Sequence, residues 1–226
     1  MGNKVITIDG LNGTGKSTLA KELAKTFNFS YLSAGTIFRS LALFATENGL
    51  EPHQTPLIIH ALNNMGFSVQ SVDGQTRAFL GHRDVTEEIK KDEYAVFASK
   101  FSNNQFVQDQ IRGVIRETAK QTDLVVDGRD MGTVVFPNAD AKIVLTATLE
   151  KRAERRSLEQ GKPYEEVLQT FREIDERAKD GFYAPPEDAL KIDTTDLTKS
   201  EVLSVAVDYV GDRISNLLSS QEDLNE

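Results

Sequence analysis

The chain has 226 residues, a formal net charge of −9, 39% hydrophobic residues and no cysteine. Its length suits one α/β domain with a small insert, and the lack of cysteine excludes disulfides, thiolate metal ligands and thiol nucleophiles. The acidic charge argues against a nucleic-acid partner, because binding to a phosphate backbone needs a basic face. No apolar run approaches the roughly 18 residues that span a bilayer, and no secretory segment opens the sequence, so we expect no membrane partner and a cytoplasmic location. We also expect a monomer.

A β-rich run near the start of the chain leads directly into a glycine-rich loop and a helix. Residues 5–9 are followed by Gly-Leu-Asn-Gly-Thr-Gly-Lys-Ser at positions 10–17, which matches the phosphate-binding pattern G-x-x-x-x-G-K-S. Glycines let successive backbone N–H groups converge on an anion, and the N-terminus of the following helix adds further donors. In this pattern the ammonium of Lys16 reaches the β- and γ-phosphates, and the hydroxyl of Ser17 binds Mg²⁺.

This loop therefore predicts a site for a nucleoside triphosphate together with Mg²⁺. An ordinary glycine-rich turn is the alternative, which the flanking strand and helix disfavour. The residues predicted to contact the triphosphate are Gly10, Asn12, Gly13, Thr14, Gly15, Lys16, Ser17 and Thr18.

Along the chain, short β-rich runs alternate with helical stretches, which is typical of a parallel sheet with crossover helices. The predicted strands are Lys4–Asp9, Tyr31–Ser33, Leu124–Asp127, Lys142–Ala147 and Ala189–Asp193. The predicted helices are Lys16–Phe27, Gly35–Asn48, Asn104–Lys120, Leu149–Gln160, Tyr164–Lys179 and Lys199–Leu217. With the loop above, this order predicts a P-loop NTPase-type three-layer α/β sandwich around a central parallel five-stranded sheet, formed by residues 1–226 as one domain.

One segment interrupts the alternation. Residues Phe67–Val72 and Gln75–Leu80 flank the dipeptide Asp-Gly at 73–74, which favours a primed hairpin turn. Because a hairpin cannot serve as a parallel crossover, we expect residues 63–95 to form a small inserted subdomain. The last helix begins with a capping box, Thr198 and Glu201, and residues 219–226 should be a frayed acidic tail.

A second carboxylate and a group of arginines follow later in the sequence. Asp127 ends the apolar run Leu-Val-Val at 124–126, where it would orient a water bound to Mg²⁺; a turn-capping aspartate is the alternative. Five arginines flank the helix break Gln-Gly-Lys-Pro at 160–163, and we expect residues 157–180 to form a mobile lid, although solvated helix faces would carry arginines too. These arginines are Arg152, Arg155, Arg156, Arg172 and Arg177.

No guanine-recognition motif Asn-Lys-x-Asp follows a later strand, so a GTPase is disfavoured. Beyond the P-loop, the chain contains Asp-Gly-Arg-Asp-Met-Gly-Thr-Val-Val-Phe-Pro at 127–137, Phe-Leu-Gly at 79–81, Asp-Val-Thr at 84–86 with Ile89, Arg-Ala-Glu-Arg-Arg at 152–156 and Asp-Thr-Thr at 193–195. Together these motifs resemble one family, the bacterial cytidylate kinases, which transfer a phosphoryl group from ATP to CMP or dCMP. The resemblance implies ATP and Mg²⁺ as cofactors, and it implies that the insert at 63–95 binds the monophosphate.

The resemblance also implies roles for particular residues. Arg39 and Arg129 would clamp the acceptor phosphate, which suits the bidentate guanidinium group. Ser99 and Asp130 would bind the cytosine edge. The remaining implied residues are Lys16, Arg129, Arg156 and Arg177 in catalysis, Arg152 at ATP, and Gln108, Arg177 and Asp180 around the acceptor.

The chain departs from the family pattern on the acceptor side. Ala34 and Phe38 stand where the family usually has hydroxyl-bearing residues, and Gln108 stands where it has a base-contacting arginine. Residues 181–186 also lack the arginine that the family carries after Asp180. Two alternatives therefore stay open: a P-loop kinase with a changed monophosphate or metabolite acceptor, and a nucleotide-binding module with little turnover.

Overall fold

The computed structural model describes residues 3–72, 75–101, 104–179, 183 and 185–222. It forms two compact units. Residues 4–29 and 123–222 make up the first, which contains the glycine-rich loop and which we call the P-loop unit. Asn3 and residues 30–122 make up the second, which contains the predicted hairpin and which we call the hairpin unit.

The elements follow one another in an order that alternates strands and helices at both ends of the chain. In chain order they are β1 (Val5–Gly10), α1 (Lys16–Phe27), β2 (Ser30–Ser33), α2 (Ala34–Glu47), α3 (Thr55–Asn64), β3 (Phe67–Val72), β4 (Gln75–Leu80), β5 (Arg83–Asp84), α4 (Asp92–Phe101), α5 (Gln105–Ala119), β6 (Leu124–Gly128), β7 (Ala141–Thr146), α6 (Leu149–Gln160), α7 (Tyr164–Lys179), β8 (Leu190–Asp193) and α8 (Lys199–Glu222). A 3₁₀ turn at Glu88–Lys90 and a π-helix at Met131–Val135 lie between them.

The central sheet has five strands in the order β2–β6–β1–β7–β8, which confirms the predicted fold. β1 pairs in parallel with β6 and with β7, so that Ile8 is level with Asp127 on one side and Ile143 on the other. Every residue of β1 is buried, because helices cover both faces of such a sheet and its strands are therefore apolar throughout. The carboxyl ends of β1 and β6 consequently lie next to each other, at the edge where α/β sheets bind ligands.

Local signals explain the helices of the P-loop unit. α1 begins directly after the glycine-rich loop and ends at Asn28, whose φ of 57° gives the left-handed cap of a helix terminus. α6 ends at Gly161 in the same conformation, and α7 packs on α6 through Val167 and Phe171. These bounds confirm the sequence predictions for α1, α6 and α7.

The predicted capping box starts α8: the Thr198 N–H donates to Glu201 Oε2 at 2.8 Å, and the Glu201 N–H donates to Thr198 Oγ1 at 3.3 Å. α8 continues to Glu222 rather than ending at Leu217, and it thus includes the first part of the segment predicted as a frayed tail. Residues 223–226 lie outside the described residues. Within the described part of the chain, no helix combines the length and hydropathy needed to cross a membrane.

In the hairpin unit, β3 and β4 pair antiparallel from Phe67 opposite Leu80 to Val72 opposite Gln75, as the sequence predicted. Their turn at 73–74 lies outside the described residues. The sequence did not predict β5, which adds a third strand, or the helices α3 and α4. α3 buries only Ile58, Ala61 and Leu62, a single-turn apolar stripe that is too short to stand out as a helical period.

Candidate functional site

The glycine-rich loop owes its shape to glycines with left-handed backbone. Gly13 has a φ of 79° and Gly15 a φ of 96°, values that side chains disfavour. A Cβ atom on Gly13 would also lie 2.9 Å from Phe171 Cε2 and 2.9 Å from Arg152 Cβ. Both backbone conformation and packing therefore require glycine at this position, and the loop lies against α6 and α7.

Lys16 points back over this loop. Its Nζ donates to the Leu11 carbonyl at 2.8 Å, and Thr14 Oγ1 donates to the same carbonyl at 2.9 Å. Burial of the ammonium lowers the pKa of Lys16 to about 8, with a smaller lowering by Arg129, while the charges of Asp127 and Asp9 oppose the shift. The side chain thus carries a desolvated cation that gains strongly from an anionic partner.

Two carboxylates, Asp9 and Asp127, are the next-to-last residues of the neighbouring strands β1 and β6, and the charges of both act on that ammonium. Asp127 is 3% exposed, and its charge acts on Lys16. Among the described residues, no group of three or more His, Cys, Asp or Glu side chains could hold a metal ion by itself. The oxygen ligands of Ser17 and Asp127 nevertheless fit Mg²⁺, because this ion keeps waters and phosphate oxygens and needs only one or two protein ligands.

Asp9 is the functional candidate that the sequence analysis missed. It is completely buried, and its two oxygens accept the backbone N–H groups of Met131 and Gly132, each at 2.8 Å. Burial raises the pKa of Asp9 to about 6 despite these hydrogen bonds. The signal was present in the sequence: Asp9 ends an apolar strand in the same way as Asp127, and only Asp127 was interpreted from that position.

Arg129 and Asp130 follow β6 directly. Arg129 Nη2 donates to Asn12 Oδ1 at 3.3 Å, which places a guanidinium beside the glycine-rich loop. Burial lowers the pKa of Arg129, and the charges of Asp175 and Asp130 oppose this. The structure therefore brings Arg129 together with the loop residues Asn12 and Lys16, all within the P-loop unit.

The arginines of α6 have different surroundings. Arg152 is 3% exposed, and it donates to Asp175 through two hydrogen bonds of 3.2 and 2.5 Å and to the Asn12 carbonyl at 3.2 Å. Arg155 donates to Thr194, whose hydroxyl donates to the Thr14 carbonyl at 3.1 Å. Both arginines thus hold the backbone of the glycine-rich loop from outside, a link between distant segments that the sequence could not reveal.

Arg156 differs from the other two. It pairs with Glu159 at 3.0 Å with about a third of its side chain exposed, and its charge contributes to the lowered pKa of Lys16. On α7, Arg172 donates to Gln169 at 3.4 Å. The side chain of Arg177 and all of Asp180 lie outside the described residues.

The other predicted acceptor residues lie in the hairpin unit, each on a separate helix. Arg39 Nε on α2 donates to the Gly35 carbonyl at 3.2 Å, and Ser99 Oγ on α4 donates to the Val96 carbonyl at 2.7 Å. Gln108 Oε1 on α5 accepts from Arg112 Nη2 at 3.0 Å.

Residues near these positions hold the helices together. The ring of Phe38 stacks on that of Phe101 with centroids 6.2 Å apart, so α2 and α4 pack beside Arg39 and Ser99. Ala34, the first residue of α2, is buried.

A family model described as cytidylate kinase matches residues 6–212. The chain belongs to the cytidylate kinase family. The match spans the glycine-rich loop, the Arg129–Asp130 segment and the hairpin unit, and it confirms the resemblance drawn from the sequence motifs together with the predicted kinase class.

Two relatives in this family show how far the similarity extends. The chain is 38% identical over 206 residues to a cytidylate kinase of Caldicellulosiruptor bescii, covering 88% of this chain and 91% of that protein. It is 36% identical to a cytidylate kinase of Bdellovibrio bacteriovorus, covering 93% and 99%. A crystal structure of a gluconokinase from Sinorhizobium meliloti matches with a TM-score of 0.54 and 14% identity over 96% of this chain and 97% of that one, a likeness of fold alone.

Proposed function

We propose that the chain transfers the γ-phosphoryl group of ATP to the phosphate of CMP or dCMP. The hydrogen bond from Arg129 to Asn12 carries this proposal, because it sets a cation from the segment after β6 beside the loop that binds the donor. A donor phosphate and an acceptor phosphate repel each other, and a half-buried guanidinium between them would offset that repulsion.

On the donor side, the backbone N–H groups around Gly13 and Gly15 would hold the β-phosphate, and Lys16 would leave the Leu11 carbonyl for phosphate oxygens. Ser17 and Asp127 would hold Mg²⁺, which would neutralise charge on the β- and γ-phosphates. The remaining ATP contacts follow the sequence prediction and include Gly10, Asn12, Thr14, Thr18 and Arg152.

On the acceptor side, Arg129 would bind the monophosphate and the Asp130 carboxylate would accept a hydrogen bond from the exocyclic amino group of cytosine. That amino group distinguishes cytosine from uracil, so a carboxylate acceptor favours CMP over UMP. We propose Arg39, Ser99, Arg177 and Asp180 as further acceptor residues because they match the family motifs. We include Gln108 because it occupies the position of the family's base-contacting arginine.

The reaction needs no general base. The acceptor phosphate has a second pKa near 6 and attacks as a dianion around neutral pH, so catalysis consists of alignment and charge neutralisation. Lys16, Arg129 and Arg156 would supply the cations. We further propose that the enzyme acts as a monomer in the cytoplasm, which size-exclusion chromatography with light scattering and cell fractionation would test.

The direct test is ADP formation from ATP and Mg²⁺ with CMP, dCMP, UMP, AMP and GMP as separate acceptors. We expect the highest kcat/KM with CMP or dCMP. A higher value with another monophosphate would identify a kinase with a changed acceptor. Binding of ATP with no stimulation by any monophosphate would instead identify a nucleotide-binding module.

A further inference from the structure

Asp9 is a buried carboxylate placed where an apolar residue would pack well. Every residue of β1 is buried, and Asp9 is 0% exposed at the end that leads into the glycine-rich loop. An ionised group in such a place is costly unless hydrogen bonds satisfy it. The hydrogen-bond partners of its two oxygens therefore indicate why a carboxylate is present at this buried position.

Both oxygens bind the same short segment. Oδ1 accepts the N–H of Met131 and Oδ2 accepts the N–H of Gly132, each at 2.8 Å, where the π-helix begins. Arg129 and Asp130 immediately precede these two residues. Because consecutive amides are held by one carboxylate, Asp9 fixes both the position and the direction of the chain as it leaves Arg129 and Asp130.

Glycines make this close approach possible. A Cβ atom on Gly132 would lie 2.8 Å from Thr7 Oγ1, 2.8 Å from Pro186 Cγ and 3.2 Å from Asp9 Oδ2. A Cβ atom on Gly128 would lie 2.6 Å from Met131 Cγ. The segment from 128 to 132 therefore has little freedom to move relative to β1 while Asp9 holds it.

Asp9 interacts electrostatically with Lys16, a proposed donor-site residue, and with Asp130, a proposed acceptor-site residue. Burial raises its pKa to about 6, Asp130 adds to the rise, and the two backbone hydrogen bonds and Lys16 oppose it. Burial raises the pKa of the Tyr183 phenol, and the charge of Asp9 adds to that rise, so Asp9 also acts electrostatically on Tyr183. Asp9 is thus ionised at neutral pH but gains a proton in mildly acidic solution.

We propose that Asp9 is a positioning residue for phosphoryl transfer, whose ionised carboxylate holds the Arg129–Asp130 segment at the carboxyl edge of β1 next to Lys16. This inference rests on the proposed function, because Arg129 and Asp130 are its acceptor residues. Asp9 touches neither nucleotide in this assignment. It acts through the backbone of Met131 and Gly132.

The variant Asp9→Asn tests the proposal, because an amide can accept only one of the two N–H groups and turns a donor toward the other. We expect the KM for CMP to rise at least tenfold and kcat to fall, while the Kd for ATP changes less than threefold. Asp140→Asn is the matched control: Asp140 Oδ2 accepts the Val5 N–H at 2.7 Å, at the opposite end of the same strand. We expect the control to keep kcat and both KM values within twofold.

The pH dependence separates positioning from a purely structural role. The phosphate of CMP titrates in the same way with both enzymes, so its effect cancels in the ratio of wild-type kcat/KM to Asp9→Asn kcat/KM. The pH dependence of that ratio therefore reports the protonation of the Asp9 carboxylate alone. That ratio should shrink as the pH falls through about 6, where wild-type Asp9 is protonated. A ratio near 1 at neutral pH, or a ratio well above 1 that does not change with pH, would overturn the proposal.

Amide hydrogen exchange on the wild-type protein keeps the test independent of the variant's folding and of the acceptor. After correction for intrinsic rates, exchange at Met131 and Gly132 should accelerate as the pH falls through about 6, while amides paired within β1 remain protected. Unchanged protection at Met131 and Gly132 would refute the role of Asp9. If CMP did not stimulate ADP formation by the wild-type enzyme, the proposed function would be refuted. The hydrogen-exchange measurement at Met131 and Gly132 would still test the role of Asp9.

Discussion

The P-loop unit and the hairpin unit hold their candidate residues in different ways. In the P-loop unit, Lys16, Arg129 and Arg152 bond to partners that are distant in sequence or to the glycine-rich loop itself, and Gly13 and Gly132 permit the close approach. In the hairpin unit, Arg39, Ser99 and Gln108 make their described bonds within one turn of their own helices.

The difference indicates how the two halves of the reaction are specified. The glycine-rich loop, which we propose binds the donor phosphates, is shaped by its backbone geometry and held by long-range contacts, so it should tolerate little change. In the proposed reaction, acceptor choice depends on Asp130 after β6 and also on single side chains on three separate helices, α2, α4 and α5. Such helix side chains can be exchanged without disturbing the sheet. This agrees with the departures from the family motifs at Ala34 and Gln108 in the hairpin unit and with the retained Lys16, but it does not explain the arginine that residues 181–186 lack.

The largest expected effect concerns the P-loop unit. Lys16→Ala should lower kcat by a factor that corresponds to about 3–5 kcal/mol, because it removes a charge used in the transition state. The unfolding free energy without ligand should fall by less than about 1 kcal/mol, since the folded state already disfavours this buried cation. Lys25→Ala on the exposed side of α1 is the control. A folded Lys16→Ala protein with more than a tenth of the wild-type kcat would contradict the P-loop mechanism.

A second variant tests the long-range contacts that support the loop. Arg152→Ala leaves Asp175 without its cation, and breaking such a mostly buried pair should lower the unfolding free energy by about 3 kcal/mol. Arg156→Ala, on the same helix with an exposed partner, should cost less than about 1 kcal/mol. Denaturant titration of both variants measures the two losses of unfolding free energy. Equal losses would show that Arg152 supports the fold no more than the exposed Arg156 does.

A third pair of substitutions concerns the hairpin unit. Ala34→Ser with Gln108→Arg should lower the KM for CMP about tenfold, because an unsatisfied polar edge of a bound base costs about 1–3 kcal/mol. Arg112 Nη1 donates to Asp109 Oδ1 at 2.8 Å, and this hydrogen bond should keep Arg112 in place when Gln108 is replaced.

The KM for ATP should stay nearly unchanged in that double variant, because both sites lie outside the P-loop unit. Gln110→Arg adds the same charge at an exposed position of α5 and serves as the control. A double variant that binds CMP no better would show that the pocket is shaped for another acceptor.

The smallest effect is a pH dependence of ATP binding. The pKa of Lys16 is lowered to about 8, so above this value the free enzyme must take up a proton before its ammonium can hold a phosphate. We expect the Kd for ATP to be nearly flat from pH 7 to 7.5 and to be up to about tenfold higher at pH 9 than at pH 7. Calorimetry in buffers of different ionisation enthalpy would detect the proton uptake, and Lys16→Met should abolish it.

The sequence predicted those parts of the fold that depend on local rules. The bounds of α1, α6 and α7 and the pairing of Phe67–Val72 with Gln75–Leu80 follow from periodicity, a left-handed cap and a turn dipeptide. α3 was missed because its apolar stripe is short, and the π-helix because its geometry depends on two hydrogen bonds to the distant Asp9.

In the candidate site, as in the fold, the sequence predicted the contiguous motifs and missed the tertiary contacts. Lys16 and the glycines belong to a contiguous pattern, whereas the link from Arg152 to Asp175 joins two helices through a tertiary contact that no spacing reveals. Arg152 was interpreted as an ATP contact, which stays a prediction beside its observed role under the loop. Asp9 could have been found, because β1 and β6 end in carboxylates at adjacent register positions.

The crowding at Gly132 has an evolutionary consequence. With Thr7, Pro186 and Asp9 around its α-carbon, this position has no room for even a methyl group, while its neighbours Thr133 and Val134 are exposed to solvent. Tolerance to substitution should therefore be far lower at position 132 than at position 133. In a saturation library selected for enzyme activity, codon 132 should remain glycine while codon 133 accepts several residues.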